Sequence, residues 1–445
     1  VGVLLKASRW YIWKVSRFPR FLLIRQHFPD RALADVPGET VRQLTQQRFA
    51  DRVKPGARVA IGVGSRGIAN LAAIVRAVVD YWRAHGASPF IFPAMGSHGA
   101  ATAEGQADVL ARYGIHEAAM GCPVVSQLEV VSLGKTAEGI EVFVDRAAWA
   151  SDAVMLVARV KWHTDFAGPI ESGLFKMMAI GLGKFTGARQ YHSHAYRMGL
   201  ERVIRSAGRH VLQSGKVIGG LAILEDAFHH TAKLDAVPAE VMEQREEENL
   251  ALVKSWAARI PVPELDLLIL DEIGKDISGA GMDTKIVNRS VYGECNVWPN
   301  APLIRRIFVR HLSPLTHGNA VGIGMADITT DRAVAAIDWE ATRVNALTSN
   351  ALAAIKTPIH FATDQECLER IWPTVGKFDP QELFVAWIHN TMDLHVLALS
   401  ENLRPFLQAN PTLEMVGGPG DLRFDSAGNL EDFERLLAHA PHGNG

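Results

Sequence analysis

The stretch Arg58-Val59-Ala60-Ile61-Gly62-Val63-Gly64-Ser65-Arg66-Gly67, followed by the apolar-periodic run Ile68 to Ala84, decides the fold class. A short β-branched run, a glycine turn and a helix-length amphipathic segment in that order form the first half of a βαβ unit. A second buried run, Pro89 to Ala94, completes it. Working outward, the alternation continues, with strands expected at Ala153 to Val160, Val217 to Leu224, Leu265 to Leu270, Ile304 to Val309 and His395 to Leu399. Helices are expected at Thr102 to Tyr113, Ala195 to Gln213, Ala239 to Arg259 and Asp331 to Leu347. Strands alternating with helices predict an α/β protein rather than separate all-α and all-β parts.

A chain of 445 residues is too long for one ordinary core and predicts two α/β domains. The charged segment with Glu243, Arg245, Glu246, Glu247 and Glu248 runs into Ile260-Pro261-Val262-Pro263, where two prolines stiffen a linker. The expected division is therefore residues 1–262, a hinge, and residues 263–425, with the active site in the cleft between the domains. Residues 426–445 read as a tail, either on the surface or folded back on the first domain. Residues 1–20 read as an extension leading into a strand at Phe21 to Ile24, against the alternative of an interfacial amphipathic segment.

With 48% hydrophobic and 21% charged residues, the composition is that of an ordinary globular protein. A net charge of −2 without a Lys/Arg run argues against nucleic acid as a partner. No apolar run suits a signal peptide or a stable membrane insertion. Cys122, Cys295 and Cys367 lie far apart, outside zinc-knuckle or disulfide spacing, which fits a reducing cytoplasm.

Gly62, Gly64 and Gly67 satisfy G-x-G-x-x-G in a strand-turn-helix context, so an NAD-dependent oxidoreductase using the Gly62–Gly67 loop is one reading. The second strand ends in Met95-Gly96-Ser97-His98, without the acidic residue that holds a ribose hydroxyl. Phosphate or carboxylate binding near Arg66 survives that mismatch. His98 lies in a glycine-flanked turn at a strand's carboxyl end, where open α/β sheets place ligands. His163 and Lys176 fall in Lys161-Trp162-His163-Thr164-Asp165-Phe166-Ala167-Gly168-Pro169-Ile170-Glu171-Ser172-Gly173-Leu174-Phe175-Lys176, expected as a structured loop and the start of a helix. Tyr191-His192-Ser193-His194 reads either as a pair of metal-ligating imidazoles or as a helix cap with Ser193 supplying the oxygen. Glu225, Asp226, His229 and His230 form a donor-rich patch expected to be structural. Lys275 is a candidate for holding a carboxylate or phosphate, or a solvated surface residue.

In this order and context, His98, His163, Lys176 and His192 resemble the lactate racemase family over most of residues 50–270. The resemblance implies a nickel-pincer nucleotide (nickel pyridinium-3,5-bisthiocarboxylic acid mononucleotide) tethered to Lys176 and ligated through His192. His98 and His163 would then be the acid/base pair of a racemase or epimerase of a 2-hydroxy acid, a small-molecule substrate larger than lactate or differently charged, and enzymes of pincer synthesis would be partners. Gly62, Val63 and Gly64 stand where the family carries an acidic residue. His163 and Lys176 are also farther apart than in the family pattern, which makes Lys184 a rival tether and His194 a rival ligand. A non-catalytic nickel or nucleotide-cofactor binder is the alternative from another class.

Overall fold

Val59, Ile61 and Val63 point to one side of their strand and Ala60 and Gly62 to the other, because successive side chains of a β-strand alternate. Both sides are buried, as a sheet covered by helices on both faces requires. The computed structural model describes residues 18–64, 67–96 and 98–438, and the chain divides into two compact units, residues 28–258 and residues 1–27 with 259–445. The first described strand, β1 (Phe21–Gln26), belongs to the second of these units.

Residues 28–258 run through α1 (Val36–Gln46), β2 (Arg58–Val63), α2 (Leu71–Ala84), β3 (Ser88–Pro93), α3 (Ala103–Arg112) and α4 (Glu117–Met120). A hairpin of β4 (Val130–Lys135) and β5 (Glu141–Asp145) follows, then α5 (Arg146–Trp149) and β6 (Ala153–Val160). The rest comprises α6 (Leu174–Lys176), α7 (Lys184–Met198), α8 (Leu200–Leu212), β7 (Val217–Glu225), β8 (Thr231–Pro238) and α9 (Met242–Trp256). The sheet order is β3-β2-β6-β7-β8, parallel except for β8. One core holds Val59, Ile61, Val63, Met155 and Val157 against α2 residues Ile74, Val75, Val78 and Trp82. The other holds Ala60, Phe92, Leu156 and Ala158 against Leu174, Phe175, Val203, Ala207 and Leu250.

The second unit adds β9 (Glu264–Ile273), α10 (Thr284–Val287), β10 (Leu303–Leu312), β11 (Ile328–Thr330), α11 (Asp331–Ala335) and α12 (Trp339–Ser349). It continues with β12 (Ile359–Phe361), α13 (Asp364–Ile371), β13 (Val385–Ile388), β14 (Val396–Ser400), α14 (Arg404–Gln408), β15 (Leu413–Gly420) and α15 (Phe433–Ala438). Its sheet order is β12-β11-β10-β9-β13-β14-β1-β15, parallel from β12 to β13 and antiparallel beyond.

Two boundaries differ from expectation. The strand at Phe21 to Gln26 lies between β14 and β15 rather than in the unit of residues 28–258, and its apolar side chains are buried in that sheet. Of the C-terminal stretch, Leu430, Glu431 and Phe433 are bonded into the second unit. Arg310, 1% exposed, is paired with Asp271 and Asp364 and donates to the carbonyls of Leu430 and Glu431. Asp271 accepts the Phe433 N–H and Asp364 the Leu430 N–H, both at 2.9 Å. Those carboxylates satisfy backbone donors that burial would otherwise leave unpaired. Among the described residues no helix is long and apolar enough to cross a membrane.

Candidate active site at the switch point of the first sheet

From β2 the chain runs outward to β3 and then returns to add β6 on the other side of β2. The connections leaving β2 and β6 therefore diverge, and the carboxyl ends of those strands form the switch point at which open α/β sheets bind ligands. Three segments border it: the glycine loop after β2, the His98 turn after β3 and the long loop after β6.

The glycine loop is held from its far end. Gly67 donates to the Tyr113 hydroxyl at 3.0 Å, and its carbonyl accepts from Arg159 Nη1 at 3.1 Å. Arg159 is paired with Glu225 at 2.6 Å, and Glu225 also accepts the Ala69 N–H at 2.9 Å. Arg66 lies outside the described residues. Helix α2 begins only at Leu71, after the left-handed Asn70. The glycine turn thus does not open the helix directly, as a dinucleotide fingerprint requires.

The loop after β6 is closed at its base by paired backbone bonds between Lys161 and Ser172, at 3.0 and 3.1 Å. Inside it the buried Glu171 carboxylate accepts the N–H groups of His163 at 2.5 Å and Gly168 at 3.1 Å, and it pairs with Lys254 at 2.5 Å. His163 is 8% exposed, with its ring against Phe166 at a centroid distance of 4.5 Å. Its Nδ1 accepts the Asp165 N–H at 3.0 Å, so in the neutral ring this bond assigns the proton to Nε2.

Lys176 ends α6, as a loop followed by a helix start predicts, and a π-turn, Met177–Gly181, continues from it. Leu182 donates to the Met177 carbonyl at 2.8 Å, the wide bond that makes the turn. Such turns recur at functional sites, because they bring an extra residue round to one face. The N–H groups that α6 leaves unpaired, those of Leu174 and Phe175, are taken by Glu246 of α9 at 3.0 and 3.3 Å. Burial pushes the Glu246 carboxyl up to about 7, against the lowering effect of those two bonds. Gly173 makes this contact possible, since a Cβ there would stand 2.1 Å from Glu246 Oε1.

His192 lies in the middle of α7 and not before a helix, and Ser193 is no cap: its hydroxyl donates back to the Arg189 carbonyl at 3.2 Å. Glycines 181, 183 and 187 obscure this helix in the sequence, yet Gly183 and Gly187 pack under the Tyr191 ring, 3.0 Å from where their Cβ atoms would be. His192 is partly buried, and burial together with the nearby Lys176 charge lowers its pKa, opposed by Asp165. It is therefore neutral at physiological pH, the state in which imidazole binds metal. His194 is turned about 200° around the helix from His192.

The His98 turn meets the π-turn through Gly96, whose left-handed backbone (φ +62°) brings it so close that a Cβ would stand 2.8 Å from Ile180 Cγ2. A Cβ at Gly64 would likewise stand 3.2 Å from Met177 Cε. The glycine loop, the His98 turn and the segment carrying Lys176 are thus contiguous, and the charges of Lys176 and Asp165 both act on His192. Residues 39–201, which hold His98, His163, Lys176 and His192, match the lactate racemase N-terminal domain.

This part of the chain is similar to lactate racemase. A solved structure of the lactate racemase apoprotein from Thermoanaerobacterium thermosaccharolyticum has 14% identity and a TM-score of 0.48, covering 82% of this chain and 99% of its own. A protein from Thermotoga maritima has 12% identity and a TM-score of 0.46, covering 64% of this chain and 74% of its own. No curated protein matches the sequence.

Two further lysines expected at the site are placed otherwise. Lys184 is fully buried, its Nζ 2.6 Å from the Pro93 carbonyl and 3.1 Å from Asp145 Oδ2, which excludes it as an accessible tether. Burial lowers its pKa, opposed by the Asp145 charge. Lys275 lies in the second unit and donates to the Gly279 carbonyl at 2.5 Å. The patch around Asp226 closes the β7–β8 hairpin. Asp30, Asp226 and His230 bring ligand atoms within 4.8 Å of one another, but Asp226 already accepts the N–H groups of Arg31, Phe228 and His230. Asp165, Glu171, Glu246 and Lys254 were not singled out from sequence. Each is an ordinary surface-type residue whose role depends on a partner in another part of the chain.

Proposed function

We propose that this chain is a racemase or epimerase of a 2-hydroxy acid, with a nickel-pincer nucleotide held by Lys176 and His192. The observation that carries the reading is the match of residues 39–201 to the lactate racemase N-terminal domain, within which Lys176 leads into a π-turn and its charge helps to lower the pKa of the His192 imidazole. The donor set fits the group: an amine for the tether, a nitrogen ligand suited to nickel, and walls free of side chains at Gly64 and Gly96. When bound, such a nucleotide supplies the acceptor for the hydride leaving C2 of the substrate.

The protein's own groups handle the proton. His163 presents an N–H at Nε2, since Nδ1 is occupied by the Asp165 N–H, and donates to a substrate oxygen. His98, half-buried in its turn, accepts the hydroxyl proton on a ring nitrogen and returns it. Both histidines were expected to serve alike; in this reading the Asp165 bond makes His163 the donor of the resting pair. Phe166 covers one face of His163 and keeps water from it, while Glu171 and Lys254 hold its backbone in place. Lys275 has no part in this reading.

The test is intact-protein mass spectrometry and nickel analysis on the chain co-expressed with pincer-synthesis enzymes, alongside a panel of 2-hydroxy acids deuterated at C2. The expected result is an adduct on Lys176, absent from Lys176→Ala, with roughly one nickel per chain, as a one-ligand-set site demands, and C2 exchange or inversion for one acid. An unmodified mass without nickel overturns the cofactor assignment. An adduct with nickel but no exchange across the panel overturns the racemase and leaves a binder.

A further inference from the structure

We propose that Lys184 and Gln106 form a buried relay that fixes the His98 turn, which makes Gln106 a positioning residue of the site. Gln106, on α3, is fully buried. Its Oε1 accepts from Lys184 Nζ at 3.3 Å, and its Nε2 donates to the carbonyls of Gly96 at 2.8 Å and His98 at 3.3 Å. Lys184 also reaches the Pro93 carbonyl, at the end of the strand that leads into the turn. Two consecutive stretches of backbone ahead of His98 are thus tied to one ammonium.

The physical argument concerns the orientation of the amide. A glutamine amide can sit either way round, and only one way places its NH2 on the two turn carbonyls. The opposite way would set oxygen against oxygen. Lys184 has donors only, so it selects the productive orientation. A buried lysine–aspartate pair is a poor device for stability, since well-packed apolar residues of the same volume commonly do as well. The directional bonds that it makes possible are what such residues could not supply. Calling His98 catalytic rests on the proposed function; the positioning itself does not.

The experiment records histidine ring Cε1–Hε1 NMR signals of the full chain, with the His98 signal identified by its absence from His98→Gln. In Gln106→Met the His98 signal should move or broaden, while those of His163 and His192 stay and circular dichroism is unchanged. In Gln106→Glu, Lys184 keeps a partner but the turn carbonyls lose their donor, and the same His98 change is expected even if Gln106→Met does not fold. With the proposed substrate, kcat should fall on the order of 10–100-fold, with KM changed far less, as a displaced catalytic group would give. A folded Gln106→Met or Gln106→Glu protein with the His98 signal unmoved overturns the relay. A moved signal without any turnover in the parent protein would sustain the relay and count against the racemase instead.

Discussion

Glu246 has to satisfy two backbone donors from a position where ionisation is costly, and the burial cost wins, leaving its carboxyl at about 7. Between the ordinary carboxyl range and that value the folded protein holds a proton that the unfolded chain has released. The resulting stability is therefore fully present below about pH 4.5 and lost as pH rises to about 7. Over that window wild type should lose roughly 3 kcal/mol relative to Glu246→Gln, which mimics the protonated form. Urea midpoints of the two proteins between pH 5 and 7.5 will show it, and parallel pH dependences would refute it. The facing residue is as constrained. In Gly173→Ala the added methyl collides with Glu246 Oε1, so a loss of about 1–3 kcal/mol is expected. The mutation should also reduce adduct formation on Lys176, measured by intact mass, because the collision displaces the start of α6.

At the level of elements, α7 presents His192 to Lys176 because the helix runs through a segment whose glycines pack under Tyr191 instead of breaking it. The Tyr191 hydroxyl accepts the Phe143 N–H at 2.9 Å and fastens the helix to β5. A rigid helix separates the two candidate ligands by more than half a turn, so the consequences of removing them should differ. His192→Ala is expected to abolish nickel retention after gel filtration, by tenfold or more, the usual scale for loss of a ligand or its support. His194→Ala should retain it. Equal loss from both variants would place the metal elsewhere. Helix breaks were harder to anticipate than helices. One helix was expected from Ala195 to Gln213, yet Gly199, at φ +82°, divides it, and Asp338 caps a new start within the run expected from Asp331 to Leu347.

At the scale of the whole molecule, the chain begins in one unit, builds the other, and returns. β1 is buried along Phe21, Leu22, Leu23 and Ile24 and hydrogen-bonded on both edges. Removing residues 1–27 should therefore leave β14 and β15 with exposed edges and apolar gaps, while residues 28–258 keep their sheet. Limited proteolysis of the truncated chain should show rapid cleavage within 259–445 and a protected fragment from 28–258. Protection of both would mean that β1 contributes little.

The α/β class, the positions of β2, β6 and β7, and the resemblance to lactate racemase carried by the ordered set His98, His163, Lys176 and His192 were legible in the sequence. Buried parallel strands are continuous Val/Ile runs, and a residue set in family order needs no geometry to be noticed. The sequence alone did not place β1 in the second sheet, turn Lys184 from a candidate tether into a core cation, or show that Glu246 closes the start of α6. Each of those outcomes depends on a partner distant along the chain, and periodicity reports only the face a residue shows, never what it meets there. Charge, burial and hydrogen bonding act through space, so the roles of Gln106, Glu171 and Glu246 were decided only when the tertiary fold brought their partners within bonding distance.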